Sequence, residues 1–364
     1  MASAYATKVA EGFSQKLIEF LYENAPIDSV VNRDYEGEIN AVGSKLNILT
    51  LQKLSEKTYS GSNLTADDLT EVNAQLTIDQ KKSFYWKEKT IDRWASYIKN
   101  PHGTVVSQAA NERKKNIMTF ILGFWNKTAA GQAYGTDYTT GTVTITTGTG
   151  AVVGSGTTFT SGMVGKGFQA VGHTKWYVVT AFTDTTHITI QNDTDDDTAG
   201  YDGGTITGAT YVIQANTAKA IDNSTTKFLD MVLQLKRFLD EAEVPDEDRY
   251  LVIPAIAETR LLADPGIKIS VPAAYESLIV QGFLTELVGF KVFRSQRVAG
   301  DNTNGYRVLA GHKSFLTFAD KALEVGMEED LIGNFGSAYK DLFVYGAKVA
   351  DNRRKFGAQA LVTF

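Results

Sequence analysis

Apolar positions along the first third of the chain change period several times. Between Ala4 and Asn24 they fall at Val9, Phe13, Leu17, Phe20 and Leu21, a helical stripe that ends near Pro26. Short extended segments follow at Lys45–Leu51, Gln75–Ile78 and Phe84–Trp86. The polar stretch Ser60-Gly61-Ser62-Asn63-Leu64-Thr65 separates the first from the other two, which describes a long two-stranded excursion poor in apolar residues at its middle. A lone hairpin is marginal in water, so such an arm needs a partner surface. Beyond Pro101 and Gly103, expected to interrupt any helix begun at Ile91, Val106, Ala110, Ile117, Phe120 and Phe124 recur near one face and predict a long helix over Thr104–Thr128.

From Gly135 to Gln214 the period switches to two. Thr alternates with Val or Ile, as in Thr142-Val143-Thr144-Ile145, between Gly and Asp turns. Strands are predicted at Thr142–Thr146, Ala151–Val153, Gly167–Val171, Trp176–Phe182, His187–Gln191 and Thr210–Ile213, enough for a small β-barrel or sandwich set into an otherwise continuous domain. The helical period then returns at Phe228, Val232, Leu235 and Leu239, with Asp222-Asn223-Ser224-Thr225 as capping side chains and Pro245 as the stop. Buried strands are expected at Tyr250–Ile253, Lys291–Arg294, Tyr306–Leu309 and Leu342–Ala347, with a short helix near Ile256–Leu262. The class is mixed α+β with an all-β insert.

Composition removes whole classes of chemistry. The chain has 364 residues, 43% of them hydrophobic, and no Cys, so disulfides, thiolate metal sites and cysteine nucleophiles are out and a reducing compartment fits. The formal charge of -6 is uneven: residues 135–214 hold two Lys against seven Asp and no Glu or Arg, leaving 34 basic against 35 acidic residues elsewhere. Neither part is a basic surface built to grip nucleic acid. The start of the chain shows no secretory signal, and the apolar run Phe120–Trp125 is far shorter than the roughly 20 residues a membrane helix needs, so a soluble, cytoplasmically made protein is expected.

Candidate sites were sought among titratable residues and loops. His102, His173, His187 and His312 are dispersed, with no metal-protease spacing. Gly162–Gly167 lacks the Ser or Thr and upstream Gly of a phosphate loop, and Gly154-Ser155-Gly156 lacks the third Gly of a dinucleotide fingerprint; both read as turns. Asn192-Asp193-Thr194-Asp195-Asp196-Asp197 fails as an EF-hand and reads as a solvated loop. Arg113-Lys114-Lys115 and Arg353-Arg354-Lys355 are the tight cationic clusters, too small for a nucleic-acid groove and better suited to ion pairing. Trp176, Tyr177 and Tyr201 could serve a carbohydrate-binding adhesin, although aromatics in a β-module more often form core. The expectation is no catalytic, cofactor-binding or metal residue, no cofactor, and no enzyme.

Several segments resemble the major capsid protein of tailed double-stranded DNA bacteriophages. They are Phe20–Glu23 with Val31–Ile39, Leu76–Phe84 with Ile91-Asp92, Glu243-Val244-Pro245 through Arg249–Pro254, Val288–Ser295, Leu309–Ala319 and Leu342–Val349. Their order and spacing, not any one motif, carry the likeness, which spans nearly everything except residues 135–214. It implies the fold of that family: N-terminal arm (1–47), extended β-hairpin loop (48–90), peripheral domain with a long spine helix (91–134), β-barrel or sandwich insertion domain (135–214), axial domain (215–315) and peripheral strands (316–364).

The implied function is structural: self-assembly as hexamers and pentamers into the icosahedral shell that encloses the double-stranded DNA genome, in the virion, after assembly in the host cytoplasm. Implied partners are further copies of the chain, a portal protein, a decoration protein on some shells, and packaged DNA held without sequence specificity; no membrane is involved. The absence of a coiled-coil prefix before the arm implies a separate scaffolding protein. Some relatives cross-link through Lys–Asn isopeptide bonds; Lys57, Lys81 and Lys82 lie in the loop region, but no matching Asn and carboxylate register is visible, and cross-linking is not expected. A tail-tube or baseplate component is the alternative reading, beside the adhesin.

Overall fold

A computed structural model describes residues 26–34, 45–51, 56, 71–89, 101–193, 200–263, 286–328 and 336–364. The expected helix over Ala4–Asn24 and the Ser60–Thr65 stretch lie outside the described residues.

The body is organised on a mixed sheet in which Gly357–Thr363, Gly305–His312, Arg249–Ile253 and Phe290–Arg294 are successive neighbours. Arg249–Ile253 runs antiparallel to Gly305–His312 and parallel to Phe290–Arg294. Every residue of Arg249–Ile253 is buried because both faces are covered. Leu251 and Ile253 enter a core with Phe228, Met231, Val232, Leu235 and Leu239 of the helix Phe228–Glu241. Tyr250 and Val252, on the opposite face, meet Ile117, Met118 and Ile121 of the helix Pro101–Leu122. A strand covered on both sides reads as a continuous apolar run, which is why it was visible in the sequence.

Three local expectations need correcting. Among the described residues the long helix already includes Pro101 and carries Gly103 without interruption, and the stretch from Ile91 to Asn100 lies outside the described residues. It ends at Leu122 and tightens into a 3-10 turn, Gly123–Lys127, while Val106 is exposed, so the buried face belongs to its C-terminal turns. Of the residues Asp222–Thr225, Asn223 alone accepts from the first N–H of the next helix. Asp222 folds a turn by accepting from the N–H groups of Ser224, Thr225 and Thr226, whereas Asn223 accepts from Phe228 N–H and Asp230 from Lys227 N–H.

A second sheet joins three long strands in the order Thr317–Glu328, Gly336–Lys348 and Gln80–Lys89. The two-stranded excursion is also present: Lys45–Leu51 and Glu71–Thr77 pair antiparallel from Lys45↔Thr77 to Leu51↔Glu71. Its base crosses the long-strand sheet at Gly346, where a Cβ would lie 2.3 Å from the Thr77 carbonyl oxygen.

Residues 136–217 form one eight-stranded antiparallel sheet, in place of the two stacked sheets of a sandwich. The alternation seen in sequence points Val143, Ile145, Val152, Phe168, Val179, Ile188, Ile190 and Ile213 into a single core, so the sheet curls around its own apolar face. Two strands, Thr136–Tyr138 and Ile206–Ala209, were not anticipated; they sit at the two ends of the sheet and are mostly exposed, which leaves no alternation to read. The chain enters this β unit after Ala133–Tyr134 and leaves it before Lys219–Ala220. Both short strands pair in parallel with the same body strand, Gly357–Thr363.

Candidate functional site

The dispersed histidines stay dispersed. His173 accompanies Tyr201, whose hydroxyl donates to Gly204 O and lies 2.9 Å from His173 Nε2. His187 closes an exposed turn with Asp184 and Thr186. His312 Nδ1 accepts from Ser314 N–H at 3.1 Å, so the ring is an acceptor there, and burial pushes its pKa below the ordinary 6.5. Among the described residues no three His, Asp or Glu side chains come together as a metal site, and no helix is long and apolar enough to cross a membrane.

The cationic clusters are committed to the fold. Arg113 bonds Asp341 and lies over the rings of Phe343 (4.5 Å) and Phe84 (5.2 Å), fastening the long helix to the three-stranded sheet. Arg354 is buried and meets Asp193 at 2.6 Å; Arg353 stacks on Phe356. Asp193 therefore departs from the solvated-loop reading of the acidic run, whose residues 194–199 lie outside the described residues. Tyr177 and Tyr201 are 2% and 3% exposed, so neither can present a stacking platform to a glycan.

What the molecule offers instead is a polar seam and extended edges. At the seam between β unit and body, Asp193 binds Arg354 and also accepts from Ala130 N–H at 2.5 Å. Arg354 Nε donates to Lys127 O, Gln132 to Lys355 O, and Gln214 to Gly131 O, around a cavity of about 160 Å³ lined mainly by polar side chains and backbone. Nothing in local sequence joins Asp193 to Arg354; only the fold brings them together. The edges are the hairpin, whose base is buried at Leu76 and Ile78, and the strand Gln80–Lys89, which among the described residues pairs on one side only and shows Lys81, Lys82, Tyr85 and Lys87 to solvent. Such edges offer faces suited to flat contacts.

No protein-family model matches the chain, and no curated protein matches it in sequence. Solved structures do match in shape. A structure from Mycobacterium phage Che8 aligns with a TM-score of 0.60 at 16% identity, covering 96% of each chain. The capsid of cyanophage P-SCSP1u aligns at 0.58 and 10% identity over 97% of this chain and 92% of that one. The capsid of Ralstonia phage GP4 aligns at 0.54 and 10% identity over 97% and 95%. The fold is that of a phage capsid protein, in alignments that cover 96–97% of the chain.

Proposed function

We propose that this chain is the major capsid protein of a tailed double-stranded DNA bacteriophage, assembling as hexamers and pentamers into an icosahedral shell. The observation that carries the reading is the match to phage capsid structures along nearly the full length of both chains. Its role is structural and not catalytic. Residues 1–47 act as an N-terminal arm, 48–90 as an extended loop, 91–134 and 316–364 as the peripheral domain with its spine helix, and 215–315 as the axial domain. Residues 135–214 act as an insertion, a reading supported by the two anchors on one body strand.

A shell closes from one kind of tile through contacts on several sides. The hairpin and arm suit this because the ordering cost they cannot recover alone is offset when they lie on neighbouring copies. A scaffolding protein and a portal complete the assembly, some shells add a decoration protein, and packaged DNA is enclosed without sequence reading. Coexpression of the chain with a scaffolding partner, followed by negative-stain electron microscopy, tests the proposal. Closed spherical shells are expected; tubes, or only soluble monomers under every coexpression condition, would reject it.

A further inference from the structure

Lys166 of the β unit stretches to Asn216, donating to its backbone oxygen at 2.6 Å and to its Oδ1 at 3.1 Å. Both acceptors are neutral. Arg307, on the body strand Gly305–His312, lies with its guanidinium 4.3 Å above the ring of Trp125. Among the described residues neither cation is paired with a carboxylate. The segments that hold them are neighbours: a Cβ on Gly305, two residues before Arg307, would stand 2.5 Å from the Cβ of Ala218, two residues after Asn216. Burial, and then the Arg307 charge, push the Lys166 ammonium down to about 8, and burial lowers the Arg307 guanidinium as well. Two half-buried like charges without an acid are a standing cost that a counter-ion removes.

We propose that Lys166 and Arg307 form a binding site for a small tetrahedral oxyanion of the phosphate or sulfate type at the seam between the β unit and the body. Trp125 supports one face of the guanidinium and leaves its N–H edge to engage two ligand oxygens, while Lys166 supplies a point charge from the other side. A spherical chloride cannot use the fork of the guanidinium, so the site discriminates by shape as well as charge. Bound there, the anion would tie the β unit to the body from both sides.

Thermal unfolding of the purified full-length chain at pH 7, titrated with sodium phosphate, sodium sulfate or sodium chloride at matched ionic strength, tests this. Phosphate and sulfate should give a saturable rise in Tm of about 2 °C or more over chloride. Lys166→Met and Arg307→Met should each abolish that difference, and Lys166→Arg should retain it. Identical curves in the three salts, or a phosphate shift that survives both methionine variants, would overturn the site. Should Arg307→Met not fold, calorimetric titration of Lys166→Met with phosphate decides: a loss of affinity of about fivefold or more supports the site, and a smaller loss rejects it.

Discussion

Gly346 is where the hairpin crosses the long-strand sheet, and replacing it with alanine measures what that crossing is worth. An added Cβ would stand 2.3 Å from Thr77 O, 3.0 Å from Ile78 Cα and 3.1 Å from Thr77 C, where ordinary contacts begin at 3.4 Å. The obstructing atoms are backbone, so no side chain can rotate away, and the Thr77 carbonyl must retreat by about 1 Å. Its neighbours Leu76 and Ile78, 0% and 2% exposed, anchor the hairpin base and would be lifted with it. Overpacking of this kind costs about 1–3 kcal/mol, less a few tenths regained because alanine has less unfolded-chain freedom than glycine. A net loss of about 2 kcal/mol corresponds to a drop in Tm of about 2–3 °C for a chain this long. Calorimetry of Gly346→Ala should show that drop, and electron microscopy should show fewer closed shells because the hairpin leaves its base at a different angle. Gly326→Ala is the control: its Cβ would meet only the flexible side chains of Lys340, at 3.3 Å, and Glu324, at 3.9 Å, and should be nearly neutral. An unchanged Tm with normal particles for Gly346→Ala would refute the close-approach argument.

Other perturbations bear on different joints. Asp193→Asn leaves the Arg354 guanidinium buried without its anion; urea denaturation should register a loss of about 3 kcal/mol, and an unchanged midpoint would show that the seam does not depend on this pair. Arg249 is 3% exposed and donates to Pro245 O and Val244 O as well as to Asp240; since that aspartate is partly exposed, most of the cost of Arg249→Ala comes from the orphaned carbonyls, about 2 kcal/mol by the same assay. The folded state holds His312 neutral below its ordinary pKa, so stability is full above pH 6.5 and falls as the pH drops from there toward the depressed folded value; His312→Asn, which keeps an accepting side chain, should flatten the Tm profile between pH 7 and 5. Deletion of Ser60–Thr65 should leave the monomer's Tm unchanged and impair shell assembly, as counted by electron microscopy.

Periodicity carries far in this chain wherever burial is local in sequence. The β-unit strands were legible from Thr/Val alternation, and Arg249–Ile253 from its unbroken apolar run, because in both cases the side chains a strand buries are consecutive or alternate in sequence. The terminal strands Thr136–Tyr138 and Ile206–Ala209 escaped because partners beside them, not burial of their own side chains, hold them extended. Helix capping was legible in part: Asn223 accepts from Phe228 N–H at the helix start, whereas the Asp222 carboxylate is consumed by a turn that precedes the helix. Of the candidate surfaces, the hairpin could be anticipated from its poverty in apolar residues. The seam could not, since Asp193 and Arg354, or Lys166 and Arg307, have no sequence relation until the fold supplies one.

The attachment of the β unit also sets an order on synthesis. Its strands find all their sheet partners within residues 136–217, so they can pair as soon as that stretch leaves the ribosome. The body cannot finish its sheet so early. Ala133–Tyr134, Lys219–Ala220 and Gly305–His312 all require Gly357–Thr363, the final strand described, to be made before they are joined. A nascent chain therefore carries a completed β unit while the body's strands wait for Gly357–Thr363 to be made.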